Sequence, residues 1–154
     1  MMLYIFALLI GIVAGLRAFT APAVVSWAAY LGWIDLSDTW ASFMGAVWTP
    51  WIFTILALGE LVTDQLPTTP SRKVPPQFTA RVVSGAFCGA VLGVAAGSWI
   101  GGLVAGAIGA VIGTLGGAEA RARLARAFGS DRPAALIEDA VAILGGLWIV
   151  WAFL

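Results

Sequence analysis

A run of residues without a single charge, from 82 to 118, constrains the fold of this chain more than any other feature. At about 37 residues, the run is too long for one membrane-spanning helix of about 20 residues and suits two short ones. Gly97-Ser98 and Gly101-Gly102 supply a turn, so the sequence predicts a helical hairpin over 80–96 and 99–118. Only 10% of the chain is charged, against about 25% in soluble domains. We therefore expect an all-α integral membrane protein.

Four more apolar segments bring the predicted count to about six short transmembrane helices in a single domain. These segments are residues 3–16, 22–34, 51–65 and 133–154. Read as one helix, residues 3–34 would be about 50 Å long, against a hydrocarbon core of about 30 Å. Two short helices joined around residues 17–22 are therefore favoured, and one kinked helix is the alternative.

The basic residues and the tryptophans separate onto opposite sides of this predicted topology. If residues 66–80 face the cytoplasm, all eight basic residues lie on that side and all eight tryptophans on the other. The basic residues are Arg17, Arg72, Lys73, Arg81, Arg121, Arg123, Arg126 and Arg132. The tryptophans are Trp27, Trp33, Trp40, Trp48, Trp51, Trp99, Trp148 and Trp151. The pattern predicts a membrane protein with both termini on the external side.

The same topology divides the chain into two halves of three helices each. Residues 1–66 and 78–154 would run in opposite orientations, joined by a proline-rich cytoplasmic loop at 67–77. Inverted repeats of this kind are common in transporters, although a single packed domain without internal symmetry is the alternative. Glycines spaced four apart predict close, glycine-zipper helix packing, either within the hairpin or in a homo-oligomer. They are Gly85, Gly89, Gly93 and Gly97, then Gly102 and Gly106, then Gly109, Gly113 and Gly117.

A small set of charged residues within or beside apolar segments forms the candidate site. Glu60 and Asp64 stand four apart and so lie on one helix face. Arg17 is bounded by apolar segments on both sides, and as a loop residue it could extend to lipid phosphates. We favour an inward position, paired with Glu60 or Glu138, because arginine suits bidentate bonds to carboxylates. Ionisable residues inside membrane segments are costly and mark functional sites. The candidate site residues are Arg17, Glu60, Asp64, Arg72, Arg81, Glu138 and Asp139.

The residue inventory argues against several other kinds of protein. The chain has no histidine and one cysteine, Cys88, so it lacks the ligands of structural zinc, iron–sulfur clusters and histidine-bound haem. No catalytic constellation is present, and we expect neither enzyme activity nor a cofactor. The formal net charge is zero, so we expect no nucleic-acid partner. The expected partners are membrane lipids and, through the glycine-rich faces, a second copy of the chain.

Three stretches of the chain resemble a family of small bacterial membrane proteins classed as a domain of unknown function. The first is Gly15-Leu16-Arg17-Ala18-Phe19 with Pro22. The second is Glu60 with Asp64, Leu66-Pro67 and Thr69-Pro70-Ser71-Arg72. The third and most specific is Arg132-Pro133-Ala134-Ala135-Leu136-Ile137-Glu138-Asp139-Ala140. The resemblance implies a bacterial inner membrane protein, so that the external side is the periplasmic side. It also implies that the charged residues in these stretches act as a set, and it implies no particular activity.

Two functions fit these features. The first is a small transporter or channel-like protein whose charged site, on the cytoplasmic half, binds a proton, a cation or a small polar solute. The second is an accessory or lipid-interacting scaffold subunit whose charges form a structural salt-bridge network. An open cavity that reaches Glu60 would favour the first function, and a closed, fully paired cluster would favour the second.

The predicted topology can be tested with the intrinsic tryptophan fluorescence. Because all eight tryptophans are expected near the external surface, an aqueous quencher added outside sealed, right-side-out vesicles should reach most of the emission. The measurement is a quenching titration, repeated after detergent has opened the vesicles. Strong protection before detergent, followed by full quenching afterwards, would contradict the topology.

Overall fold

A computed structural model describes residues 1–66, 71 and 73–153 of the chain. Over these residues the structure is all-helical, with six α-helices, one short 3-10 helix and no strand. The helices are α1 (Met2–Leu16), α2 (Thr20–Tyr30), α3 (Trp48–Thr63), α4 (Pro75–Ala95), α5 (Trp99–Phe128) and α6 (Asp131–Ala152). The 3-10 helix spans Ser42–Gly45, between α2 and α3.

The first hydrophobic stretch forms two helices, as predicted. Helix α1 ends at Leu16 because Arg17 adopts an extended backbone conformation, with φ −142° and ψ 114°. Helix α2 resumes at Thr20 and ends at Tyr30, earlier than the predicted residue 34. The chain is therefore broken at Arg17–Phe19, between two apolar segments.

The glycine-rich hairpin forms as predicted, with different ends. Helix α4 begins at Pro75, so residues 75–77 are helical and the predicted loop at 67–77 is too long at that end. The error has a physical reason: proline fits the first turn of a helix, where its missing N–H costs nothing. Within that predicted loop, residues 67–70 and 72 lie outside the described part. Helix α5 continues for 30 residues until Gly129, whose φ of 70° ends it.

Three of the six α-helices in the described part of the chain have the length and polarity of membrane-spanning segments. Helices α4, α5 and α6 are each long and apolar enough to cross a membrane, and α1 and α3 are shorter apolar helices. Large apolar side chains cover the outside of the molecule, including Ile55 and Leu144, each 67% exposed. Water would not tolerate such a surface, whereas lipid would. The fold is therefore that of an integral membrane protein.

Glycines bring the backbones of α1, α4 and α5 into direct contact. A Cβ atom added to Gly106 would overlap the carbonyl group of Gly85 and lie 3.0 Å from Cα of Gly89. Gly11 and Gly15 in α1 pack in the same way against α5. Only glycine permits this separation between helix backbones. These three helices form the rigid centre of the bundle.

The other helices surround this centre unequally. Helix α6 packs against α5, α2 and α1, whereas α3 packs mainly against α2 and the 3-10 helix. Of the residues in α3, only Pro50 is buried. Helix α3 therefore lies at the edge of the bundle, and a cleft separates it from α4.

Two glycines of α5 provide a matched test of this packing. Gly106→Ala should lower thermal stability, because its methyl group would collide with the backbone of α4. Gly116→Ala should leave stability unchanged or raise it by up to about 1 kcal/mol, because Gly116 faces open space and alanine favours helix. Thermal unfolding in detergent measures both. Equal melting temperatures for the two variants would contradict the close α4–α5 contact.

Candidate functional site

The guanidinium group of Arg17 lies fully buried at the break between α1 and α2. Its Nε donates a 2.7 Å hydrogen bond to Oδ1 of Asp139, and its Nη2 donates to the same oxygen. Its Nη1 lies 2.7 Å from Oδ2 of Asp64, an ion pair without regular hydrogen-bond geometry, and 3.5 Å from Oε1 of Glu138. Arg17 therefore joins the end of α3 to the first turns of α6.

Side chains from other helices satisfy the exposed carbonyl groups at the end of α1. Arg81 of α4 is also buried, and its Nη1 donates to the carbonyls of Gly15 and Leu16 at 3.0 and 2.8 Å. Ser84 Oγ donates to the Ala18 carbonyl at 2.5 Å. Unpaired backbone groups cost several kcal/mol in a membrane, and a broken helix persists only where protein replaces its hydrogen bonds. The fold therefore stabilises the break through these side-chain hydrogen bonds.

The carboxylate of Glu60 completes the other side of the break. It accepts hydrogen bonds from the backbone N–H groups of Ala18 and Phe19 at 2.7 and 2.8 Å, where α2 begins. An acid is favourable at this end of a helix, because the unpaired N–H groups carry partial positive charge. Arg81 Nη2 lies 3.6 Å from Oε1 of Glu60 and 3.9 Å from Oδ2 of Asp64. Glu60 thus ties α3 to the start of α2.

Arg121 belongs to the same network, although the sequence predicted it only as one of the basic residues on the cytoplasmic side. It holds Asp131 with two hydrogen bonds, of 3.0 Å from Nε and 2.7 Å from Nη2. Its Nη1 lies 3.5 Å from Oε2 of Glu138, and its Nη2 donates to the Asp64 carbonyl at 3.0 Å. No local signal predicted this role, because Arg121 lies eight residues before Gly129 and Asp131 only two residues after it.

Acids and arginines from several helices meet in this network. Among the described residues it contains three arginines and five acids. The arginines are Arg17, Arg81 and Arg121, and the acids are Glu60, Asp64, Asp131, Glu138 and Asp139. The side chain of Asp131 is 60% exposed, whereas those of the other four acids are 6–11% exposed. Burying an unpaired carboxylate is costly, so these four acids need an arginine, a proton or a cation as a partner.

A cavity of about 440 Å³ reaches the network through the cleft between α3 and α4. Glu60, Thr63 and Asp64 line it from α3, and Gln77 lines it from α4. The side chains of Glu60 and Asp64 are each 11% exposed. A second cavity, of about 310 Å³, adjoins the first and has mainly apolar walls.

The structure brings together six of the seven sequence-predicted site residues: Arg17, Glu60, Asp64, Arg81, Glu138 and Asp139. Arg72 lies outside the described residues. Arg17 points inward as expected, but it binds mainly Asp139 and Asp64, whereas Glu60 binds backbone N–H groups. Within the described part of the chain, no three acidic or cysteine side chains are placed to share a metal ion.

Comparison of the chain with protein-family models, with curated proteins and with solved structures found no match. The family resemblance of the three sequence stretches therefore stays a prediction. Function is therefore inferred from the geometry of the charged site.

Arg17→Lys tests how strongly the buried network depends on the guanidinium group. We expect it to lower the free energy of unfolding by about 1–3 kcal/mol, because lysine keeps the charge but cannot reproduce the fixed geometry with which the planar guanidinium contacts Asp139, Asp64 and the Leu16 carbonyl. SDS titration in mixed micelles measures this loss. The matched control is Arg123→Lys, since Arg123 is exposed and pairs only locally with Glu119 in the described structure. Equal stability of both variants would contradict the bridging role.

Proposed function

We propose that the protein is a small transporter or channel-like protein that binds a proton or small cation at Glu60 and Asp64. The observation that carries this proposal is the cavity between α3 and α4, which reaches both carboxylates at a broken helix. Transporters commonly build their sites at such breaks, where helix ends and charged side chains meet inside the bilayer. Glu60 and Asp64 line this cavity, and its described lining contains no basic residue, which favours a cation.

The proposal includes the membrane arrangement expected from the sequence. The chain crosses the bacterial inner membrane six times, with the charged network on the cytoplasmic half and both termini outside. The Tyr4–Ser98 hydrogen bond of 3.1 Å, at the end of the bundle opposite Arg17, is consistent with this polarity. Residues 1–66 and 78–154 contribute three helices each, which supports the inverted-repeat proposal. Against that symmetry, the middle helices have 11 and 30 residues.

The attachment of α3 suggests how cation binding would be coupled to movement. Few residues of helix α3 are buried. Its C-terminal end is held by two contacts: Glu60 accepts from the N–H groups at the start of α2, and Asp64 pairs with Arg17. A cation that binds either carboxylate competes with these N–H groups or with Arg17 and so weakens the two contacts. Helix α3 then shifts against α2 while the glycine-packed centre stays fixed. The cleft opens or closes as a result.

The alternative is a scaffold or accessory subunit, and the engagement of Arg17 favours it. All three guanidinium nitrogens of Arg17 have partners, and the side chain is fully buried. Membrane lipids are the partners in this case. Gly116 and Gly145, which face open space, offer small surfaces for a second copy of the chain.

Glu60→Gln separates the two functions. The amide oxygen can still accept an N–H from Ala18 or Phe19, but the charge that binds the cation is gone. In proteoliposomes loaded with a dye sensitive to pH, K⁺ or Na⁺, we expect the flux of the transported cation to fall about tenfold or more, which corresponds to about 1.4 kcal/mol of lost cation binding. Glu119→Gln is the matched control, because Glu119 is exposed and lies outside the network.

Equal flux with and without the protein would contradict the transport proposal. If wild-type protein, Glu60→Gln and protein-free liposomes all show the same flux of protons, K⁺ and Na⁺, transport of these ions is ruled out. A fall in thermal stability of Glu60→Gln alone, under the same conditions, would then favour the scaffold.

A further inference from the structure

The apolar cavity beside Glu60 is a feature that a site for inorganic cations does not need. It has a volume of about 310 Å³. Its walls come from the helix break, from α2 and α3, and from one face of α4. They are formed mainly by Phe19, Pro22, Phe53, Val83 and Phe87. The hydroxyl of Ser84 also lines it but donates to the Ala18 carbonyl.

The apolar cavity and the acidic cavity are parts of one cleft. Both are lined by Ala18, Phe19 and Ala80, so their walls are shared at the helix break. Along α3, Phe53 in the apolar part stands seven residues before Glu60, about 10 Å at 1.5 Å per residue. The volumes of about 440 and 310 Å³ fall within the usual range for small-molecule sites, about 300–1,000 Å³.

The chemistry of the two parts specifies what would fit. The described lining of the acidic part contains two carboxylates, Glu60 and Asp64, and no basic side chain, which favours a positive group over an anion. Each oxygen of Glu60 accepts one backbone hydrogen bond, and a carboxylate oxygen has capacity for another. The aromatic rings of Phe19, Phe53 and Phe87 favour a hydrophobic body, and their faces also attract cations.

The rim of the cleft faces the lipid. Ile55 on α3 is 67% exposed and Val83 on α4 is 60% exposed, and both line the cleft. A hydrophobic molecule dissolved in the bilayer would therefore meet the apolar part from the side, without first crossing water.

From these features we infer that the cleft binds a lipophilic organic cation, with its positive group at Glu60 and Asp64 and its hydrophobic body between Phe53 and Phe87. The inference rests on the proposed function, because it specifies the chemical class of the cation. The bound molecule enters from the bilayer between α3 and α4.

The test uses purified full-length chain in detergent and radiolabelled tetraphenylphosphonium, followed by equilibrium dialysis. We expect saturable binding of one cation per chain. Val83→Trp fills the apolar part and should weaken binding about tenfold or more. Val104→Trp is the matched control, because Val104 is also exposed but lies on α5, away from the cleft. It should bind like the wild type.

A second variant and an isosteric anion keep the outcome unambiguous. Ala80→Phe narrows the shared wall at an exposed position and should weaken binding as Val83→Trp does, if both variants keep wild-type helicity. Tetraphenylborate has the same shape and the opposite charge, so it should not compete. Absence of saturable binding, equal binding by both tryptophan variants, or full competition by tetraphenylborate would each overturn the inference.

Flux and binding measurements together distinguish failure of this inference from failure of the proposed function. If flux of small cations depends on Glu60 but tetraphenylphosphonium does not bind, the inference fails and the function stands. If tetraphenylphosphonium binds in the cleft but Glu60→Gln leaves both its affinity and all flux unchanged, the carboxylate site fails and only the apolar groove remains.

Discussion

Burial of the Arg17 guanidinium inside a membrane protein is the interaction on which the arrangement of the helices depends. An unpaired charge there would cost several kcal/mol, so partners have to be brought to it. Asp139 arrives from α6 and Asp64 from the end of α3. Arg81 and Ser84 arrive from α4 to bond the carbonyls that the break exposes. Three helices are thereby placed in relation to one extended residue.

The helix break and the charges explain each other. Carbonyl groups at the end of α1 carry partial negative charge, and Arg17 and Arg81 bond to them. N–H groups at the start of α2 carry partial positive charge, and Glu60 accepts from them. A continuous helix would need none of these groups. The charges that look unusual in so apolar a sequence are therefore needed wherever the chain turns inside the bundle.

Much of this could be predicted from the sequence, because the rules for membrane helices are strong. The maximum length of a membrane helix predicted that residues 3–34 form two helices joined around residues 17–22. The same limit predicted that the uncharged run forms two helices joined at the Gly97-Ser98 turn. The suitability of arginine for bidentate bonds to carboxylates favoured an inward position for Arg17. The pairing itself was not predictable, because Glu138 and Asp139 point about 100° apart and the sequence does not give the orientation of α6 about its axis. Arg121 was missed because its role depends on the angle between α5 and α6, which no local pattern encodes.

The helices of this bundle differ in how tightly they are packed, and this difference bears on function. Glycine contacts between backbones lock α1, α4 and α5, since any sliding would bring main-chain atoms into collision. Helix α3 has few such contacts, and charged groups hold its inner end at the break. Electrostatic attachments respond to protons and cations, whereas backbone packing does not. A ligand at Glu60 or Asp64 would therefore act on the one helix that is free to respond, and the rest of the fold would serve as its fixed support.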